Sequence, residues 1–302
     1  MCNYINKITR EIGFPEEAAS FFDTFGEGLT DADFALLSDM EAYYIGSADD
    51  ANQRTEERLN EWAEQRGFNR YTAHLYFLLT CTRRLEERYA AAGIDRALFV
   101  NLMCDLRYKL IECRHMHGVW GTFVFSWFRR HFLMTRFALG RFQFEENPFD
   151  RDCYEAHGVR IVRGERIINF HIPSSGPMTR EARLDAYRRA YDFYKIPEGG
   201  KLVLRCDSWL IYPQCRDVFP AGSNLRDFMD DFDILDGKCT PGTFNNAWRV
   251  FYKDYNGDTS ILPRETSLQR AIADWLDKGN GIGSGYGIIV FDGEKILTGP
   301  RA

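Results

Sequence analysis

The sequence lacks the features that would place it in several specialised classes of protein. Its 302 residues contain no apolar run of the roughly 18 residues that a membrane-spanning helix needs. The first residues, Met-Cys-Asn-Tyr-Ile-Asn-Lys, contain no apolar segment typical of a signal peptide. The excess of one charge is small, with 38 Lys and Arg against 44 Asp and Glu and a net charge of −6. These absences predict a cytoplasmic protein that has neither a membrane nor a nucleic acid as its partner.

Signs of secretion and of disorder are missing as well. No Asn-x-Ser/Thr glycosylation site occurs, and the eight Cys are scattered through a chain that is long enough to fold without disulfides. Hydrophobic residues make up 45% of the chain, with 24 Phe, 15 Tyr and 6 Trp. This composition is sufficient for a large core, so we expect a folded protein with reduced thiols.

The charge that is present is distributed unevenly. Residues 1–50 hold 11 acidic and 2 basic side chains, whereas residues 51–141 hold 9 acidic and 15 basic ones. The basic segment could face a phosphorylated ligand or could be a solvated helix face. The acidic segment, together with the aromatic helices that follow it, is also compatible with a protein-interaction surface.

The pattern of hydrophobic residues divides the chain near residue 140. Between residues 5 and 135 the apolar residues recur at helical spacing, and the segments Asp31–Tyr44, 71–92 and 96–116 are the clearest examples. Only Pro15 interrupts the stretch before Pro148, which favours helices. The first half is therefore predicted to be helical.

After residue 138 short segments with period-two alternation dominate. Residues 139–145 predict a strand, and segments 159–162 and 166–172 flank a turn and predict a hairpin. An amphipathic helix is expected over 179–194. The remaining elements are a strand at 201–212, helices at 223–232 and 267–278, a strand at 248–255, and a strand at 288–291 that follows a glycine-rich bend at 279–287.

Two groups of potential metal ligands have the wrong spacing. Cys104, Cys113, His115 and His117 would project from different sides of one helix. The segment 254–265 resembles part of a calcium loop, but Thr259 replaces the glycine of its sharp turn and Pro263 interrupts it. We therefore predict no metal site.

The segment from strand 166–172 to the helix at Thr179 is the strongest candidate for a binding site. A strand that ends in the small residues Ser174, Ser175 and Gly176 and then enters a helix points free backbone N–H groups at one place. That arrangement suits a pyrophosphate, although a plain helix cap has the same pattern and Pro177 supplies no N–H.

Two titratable residues lie in the predicted strands nearby. Asp207 interrupts an apolar strand, so it should reach solvent in a cleft or pair with a base. His171 could act as a base near neutral pH or could be a hydrogen-bonded core residue.

Five sequence blocks then resemble, in order, those of a bacterial family of putative acyltransferases. The blocks are LGRFQFE at 139–145, FHIPSSGP at 170–177, CDSWLIYP at 206–213, Ser223-Asn224 and LPRETSLQRA at 262–271. Members of this family combine a helical N-acyltransferase N-terminal domain with a GNAT-like C-terminal domain. The resemblance implies an α+β protein with a helical domain at 1–138 and a GNAT-like mixed β-sheet domain, flanked by helices, at 139–302.

The same resemblance implies transfer of an acyl group from acyl-CoA or acetyl-CoA directly to an amine or hydroxyl of a small-molecule or peptide acceptor. In GNAT-like domains the CoA lies where two central strands diverge, and its pyrophosphate lies on the next loop, here Ser174, Ser175 and Gly176. Arg141, with the group Arg129, Arg130 and Arg136, would help to hold the phosphates. Asp207 or His171 would be the base and Tyr212 the acid.

Two departures from the family pattern support a different hypothesis. Pro173 and Met178 occupy the outer positions of the GNAT loop motif, and Asp207 and Tyr212 stand where the family block has His and Asp. The alternative is a GNAT-like scaffold that binds a ligand or a partner without catalysis. An acyltransferase should have an open cleft at 174–176 with basic side chains facing it, whereas such a scaffold should fill that cleft with its own side chains.

Overall fold

The computed structural model describes residues 1–300, and the chain divides into two compact units, Met1–Ala138 and a second that begins at Leu139. The first unit is mainly helical, contains a short 3₁₀ turn at Phe125–Phe128 and ends in the first residues of strand β1 (Arg136–Leu139). Its helices are α1 (Cys2–Glu11), α2 (Glu16–Glu27), α3 (Asp31–Tyr44), α4 (Ala51–Arg66), α5 (Arg70–Ala91), α6 (Arg96–His117) and α7 (Arg129–Phe132).

Local signals in the sequence account for the helix ends. Thr30 and Asp33 form a capping box at the start of α3, each side chain accepting a hydrogen bond from the other residue's backbone N–H. Gly67 and Gly118 end α4 and α6 in the left-handed conformation, with φ of 65° and 72°. Helix α5 is buried over most of its length and forms the centre of the unit's core. No helix among residues 1–300 is long and apolar enough to cross a membrane.

The second unit is a mixed β-sheet with helices, as the sequence predicts. Six strands follow the order β1-β2-β5-β6-β8-β7, and a separate hairpin pairs β3 with β4. The strands are β1 (Arg136–Leu139), β2 (Phe142–Pro148), β3 (Cys153–Ala156), β4 (Val159–Val162), β5 (Arg166–His171), β6 (Leu202–Ser208), β7 (Asp233–Lys238) and β8 (Ser284–Phe291). The helices are α8 (Arg180–Phe193), α9 (Cys215–Val218), α10 (Asn224–Met229), α11 (Trp248–Phe251) and α12 (Ser267–Leu276).

The two faces of this sheet differ in chemistry because side chains alternate along each strand. On the aromatic face, Phe142 and Phe170 pack against Tyr187 of α8, with ring centroids 5.7 and 6.1 Å from the tyrosine ring. The neighbouring residues of the same strands, Glu145 and His171, contact each other on the polar face.

A buried ion pair lies on the aromatic face. The Arg183 side chain of α8 is fully buried and donates to Asp231 at 2.7 Å and to Asp227 at 2.7 Å. It also donates to the backbone oxygen of Met178 at 2.8 Å, and the Tyr187 hydroxyl donates to Asp231 at 3.0 Å. This network connects the start of α8 to α10 and to the segment that follows it.

The predicted hairpin of 159–162 with 166–172 is wrong. Strand β4 pairs with β3 through a two-residue turn at His157 and Gly158, whose φ values of 51° and 70° suit a tight hairpin. Strand β5 joins the main sheet between β2 and β6. The prediction missed β3, because its four residues carry no hydrophobic alternation beyond the one buried side chain, Tyr154.

The strand predicted at 248–255 is also wrong. Residues Trp248–Phe251 form one helical turn, and Tyr252 ends it in the left-handed conformation with φ of 50°. Trp248 and Phe251 are three residues apart, which puts them on one side of a helical turn but on opposite faces of a strand. The strand beside β8 is instead β7, which the sequence conceals because half of its six residues are charged and it lies at the sheet edge.

Two further boundaries differ from the prediction. Strand β6 ends at Ser208, whose hydroxyl caps a 3₁₀ turn at Trp209–Ile211, so the strand does not continue to residue 212. Strand β8 begins at Ser284, so Gly285 and Gly287 belong to a strand and not to a bend. Another segment approaches the backbone closely there, since a Cβ on Gly285 would overlap the carbonyl oxygen of Ile211.

Candidate functional site

The candidate site lies where β5 and β6 separate. These parallel strands pair at only two positions, Ile168 with Leu204 and Asn169 with Arg205. Strand β5 nevertheless continues to His171, and β6 continues to Ser208 while it remains paired with β8. Beyond Asn169 and Arg205 the two strands therefore diverge and leave a gap in the middle of the sheet.

The loop that follows β5 lies at the end of this gap and is open. Ser174, Ser175 and Gly176 are exposed, and a Cβ added to Gly176 would meet no atom within 4 Å. Gly176 has φ of 117°, a conformation that only glycine adopts without strain. The loop therefore has room for a ligand next to its backbone.

Arg141, from the turn between β1 and β2, holds this loop in shape. Its guanidinium donates to the backbone oxygen of Pro173 at 2.8 Å, to the Ser175 hydroxyl at 2.9 Å and to the backbone oxygen of Gly176 at 2.9 Å. These three contacts place a positive charge beside the loop and also fix its path.

Helix α8 begins directly after the loop. The Thr179 side chain caps the helix by accepting a hydrogen bond from the backbone N–H of Ala182. Arg180 is exposed at the first position of α8. Sequence reasoning missed this residue, although a positively charged side chain beside a helix N-terminus could have indicated an anion site.

On the polar face, His171 pairs with a carboxylate that sequence reasoning also missed. Its Nε2 lies 2.8 Å from Oε1 of Glu145, which is only 5% exposed, while the His171 side chain is 24% exposed. The Asn169 amide lies 3.0 Å from the same nitrogen, and the Asn147 amide donates to Glu145 at 3.2 Å. The sequence did contain a signal for Glu145. Gln143 and Glu145 alternate with phenylalanines in β2, which puts both polar residues on the face of His171.

Asp207 lies on β6, two residues beyond the last position that pairs with β5. Its side chain is exposed and accepts a hydrogen bond from the Ser284 hydroxyl of β8. Arg205, on the same face, pairs with Asp150 at 3.3 Å and lies 5.0 Å from the centre of the Tyr286 ring. The polar face beside the gap thus carries His171 from one strand and Asp207 from the other.

Tyr212 occupies a different position from these two residues. It is 7% exposed, its hydroxyl donates to Gln214 at 2.9 Å, and its ring lies beside Gly237 of β7. Burial raises the pKa of the Tyr212 hydroxyl, and a hydrogen bond with Cys239 raises it further. The structure therefore places His171, at the end of β5, close to the loop 174–176 that follows this strand. It places Tyr212 near the edge strand β7.

Two family models match the chain, and together they cover most of it. The N-acyltransferase N-terminal domain matches residues 3–134, and the GNAT-like C-terminal domain matches residues 136–289, which is more than half of the chain. The chain belongs to the family with a GNAT-like C-terminal domain. The resemblance in the sequence blocks is thereby confirmed.

Solved structures share the fold of this GNAT-like protein. An acyltransferase in complex with decanoyl-CoA and teicoplanin superposes with a TM-score of 0.72 at 21% identity, over 94% of this chain and 87% of the other. An acyltransferase mutant in complex with octanoyl-CoA gives a TM-score of 0.70, also at 21% identity, with 94% and 87% covered. An acyltransferase in complex with CoA and 10C-teicoplanin gives 0.67 at 20% identity, with 93% and 86% covered. No curated protein matches the chain.

Two of the three arginines expected to assist Arg141, Arg129 and Arg136, have other partners in the GNAT-like protein. Arg129 donates to the backbone oxygens of Tyr44, Gly46 and Ala48 within the helical unit. Arg136 is 4% exposed and lies 4.0 Å from the centre of the Trp127 ring. These two side chains stabilise the helical unit.

No group of three or more His, Cys, Asp or Glu among residues 1–300 could hold a metal ion. In the segment that resembles a calcium loop, Asp258 instead caps the 3₁₀ turn at Thr259–Ile261 by accepting from the backbone N–H of Ser260.

Proposed function

We propose that this protein is an acyltransferase that moves an acyl group from acyl-CoA directly to an amine or hydroxyl acceptor. The observation that carries the proposal is the gap between β5 and β6, which opens beside an exposed loop and the start of α8. The family match supports this function. So does the fold shared with acyltransferases whose structures contain decanoyl-CoA or octanoyl-CoA.

The loop and α8 would hold the CoA pyrophosphate. Backbone N–H groups at the start of a helix carry a partial positive charge and are unpaired within the helix, so they suit an anion. Arg141 and the exposed Arg180 add two full positive charges. The exposure of residues 174–176 and the empty space at Gly176 favour this function over the non-catalytic scaffold, in which side chains would fill the cleft.

The thioester would lie in the gap, next to His171. In the proposed tautomer the Nε2–H of this histidine donates to Glu145, 2.8 Å away, and Nδ1 accepts the proton of the acceptor. In the proposed step the acceptor's nitrogen or oxygen attacks the thioester carbonyl, its proton passes to His171, and the C–S bond breaks to release CoA thiolate, which takes up a proton. Backbone N–H groups on the diverging strand edges would polarise the carbonyl.

Glu145 would orient the His171 ring and stabilise its protonated form. Asp207, on the other side of the gap, would bind the acceptor amine or act as the base in place of His171. Tyr212 is the third residue proposed from the sequence. Its contacts with Gln214 and Gly237 support a packing role more than a role as the acid.

The acceptor would be a small molecule or a peptide-like compound. Two of the similar structures contain teicoplanin or 10C-teicoplanin, a glycopeptide and its 10C form, beside the CoA ligand. At 20 to 21% identity this shared fold supports the general class of acceptor and not that compound.

The proposal is tested by calorimetric titration with decanoyl-CoA, acetyl-CoA and free CoA, followed by thiol release with a panel of amines, amino sugars and peptides. We expect all three CoA compounds to bind at one site and thiol release to depend on an acceptor. Binding without thiol release from any acceptor would favour the non-catalytic scaffold, and no binding of any CoA compound would refute a CoA site at the loop.

A further inference from the structure

A second cavity lies at the opposite end of the strands that form the candidate site. It has a volume of about 390 Å³ and lies between the β3–β4 hairpin, the first residues of β5 and β6, and the loop that precedes β6. Cavities of roughly 300 to 1,000 Å³ are typical of small-molecule sites. All of its lining residues belong to the second unit, so the cavity is formed within that unit alone.

Most of the residues that line this cavity are apolar. Seven of its ten lining residues are aliphatic: Val159, Ile161, Ile167, Ile168, Ile196, Leu202 and Val203. Val159 and Ile161 are only partly buried, because the hairpin forms a two-stranded sheet of its own and covers the six-stranded sheet incompletely. Filling the cavity with an alkyl chain would remove this apolar surface from water, which is favourable.

The three remaining lining residues are all cations, Arg160, Arg166 and Lys201. Arg160 pairs with Glu155 at 3.4 Å and Arg166 pairs with Glu146 at 2.5 Å, and every side chain in these two pairs is at least half exposed. Exposed pairs of this kind are worth about 0 to 1 kcal/mol, so an incoming anion can compete for either arginine.

Lys201 is the cation without a carboxylate partner. Its ammonium donates to the backbone oxygen of His157 at 2.6 Å, and no carboxylate of residues 1–300 lies within ion-pair distance of it. One carbonyl uses one of its three N–H donors and leaves its charge uncompensated. The cavity lining thus combines aliphatic side chains with a net positive charge.

We propose that this cavity binds a medium-chain carboxylate, with the alkyl chain between the hairpin and the sheet and the carboxylate at Lys201 and Arg160. The site is distinct from the proposed acyl-CoA site, which lies at the other ends of β5 and β6. The ligand would contact Ile168, which pairs with Leu204 and so helps to join β5 to β6. The second site would therefore adjoin the same two strands that diverge to form the gap.

The test is calorimetric titration of the full chain with decanoate, and with two probes that each keep one property of it. Acetate has the charge without the chain, and decylamine has the chain with the opposite charge. We expect decanoate to bind at least ten-fold more tightly than either. Equal affinity for decanoate and decylamine would overturn the proposal, because the cationic rim would then contribute nothing.

Three variants locate the ligand. Lys201→Met should weaken decanoate binding at least five-fold, and Ile161→Asn should weaken it by a similar factor. Lys195→Met is the matched control, since it removes a cation from the same loop outside the cavity lining. Equal affinities of the Lys201 and Lys195 variants would refute the site.

Decanoate could also enter the proposed acyl-CoA site. The Gly176→Val variant distinguishes binding at that site from binding in the cavity. Decanoate binding that survives this substitution, with decanoyl-CoA binding lost, supports two sites. Decanoate binding that is lost with Gly176→Val and retained with Lys201→Met would place the ligand in the gap and refute the second site without affecting the proposed acyl transfer.

Discussion

The two faces of the six-stranded sheet carry similar ion pairs in different surroundings. On the aromatic face, the Arg183 side chain is fully buried and its guanidinium has partners at Asp231, Asp227 and Met178. On the polar face, His171 pairs with the buried Glu145, but a quarter of its own side chain reaches solvent beside the gap. A fully buried ion pair holds the fold together, whereas a pair with one exposed member can exchange a proton with a ligand.

The largest expected effect is on the aromatic face. Replacing Arg183 by Met should lower the free energy of unfolding by about 3 to 5 kcal/mol, because Asp231 would remain buried without its cation. Burial already raises the pKa of Asp231. Urea unfolding at pH 7 measures the change, and Arg189→Met is the control, since Arg189 lies on the same helix in an exposed pair with Asp185. A loss below about 1 kcal/mol would show that the aromatic face tolerates an unpaired carboxylate.

The corresponding substitution on the polar face should affect the reaction more than the fold. His171→Gln should lower kcat at least 100-fold, the usual contribution of a positioned base. Its control is His157→Gln, because His157 also pairs with a carboxylate, Asp233, at 2.8 Å but lies outside the gap. A fall in unfolding free energy with unchanged kcat would make His171 a structural residue like Arg183.

Glu145→Gln distinguishes orientation from proton transfer. Because Glu145 is proposed to position His171 and not to take up the proton itself, its substitution should lower kcat less than that of His171. It should also shift the acidic limb of the pH–rate profile to lower pH, since a neutral amide no longer stabilises protonated His171. The measurement is kcat against pH from 5 to 9. An unchanged profile would separate Glu145 from the chemistry.

An effect of intermediate size is expected in the loop that adjoins both faces. Gly176→Val should raise KM for acyl-CoA about ten-fold, since the φ of 117° is strained for valine and a side chain would enter the space proposed for pyrophosphate. Gly164→Val is the matched control, with φ of 90°, no atom within 4 Å of its Cβ, and a position in a different turn. Similar KM values for the two variants would remove the loop from the binding site.

The comparison of faces also explains what the sequence could predict. The family blocks and the period-two alternation of Phe142, Phe144 and Phe170 predict the sheet and the side on which Glu145 and His171 lie. Elements without such alternation were missed: β3 has one buried residue, and β7 is an edge strand with three charged residues. Partners across strands, such as Glu145 for His171, depend on the register of β2 with β5, which local sequence does not encode.

The smallest effect is expected at Tyr212. Packing on the aromatic face predicts a structural role for this residue, whereas a place on the polar face would predict a role in the reaction. Ile211 and Tyr212 approach the backbone of β8 at Gly285 and Gly287, and Gly287 also faces Phe232, on the aromatic side of the sheet. Burial raises the pKa of the Tyr212 hydroxyl, so it stays protonated at neutral pH and donates to Gln214. Tyr212→Phe should therefore change kcat less than three-fold and remove one hydrogen bond worth about 1 kcal/mol.

Steady-state rates measured across the same pH range check this expectation. If kcat instead fell by two orders of magnitude or more and the basic limb of the pH–rate profile changed, Tyr212 would be restored as the acid. That result would also show that a residue packed at the aromatic face can reach the leaving thiolate when the substrate is bound.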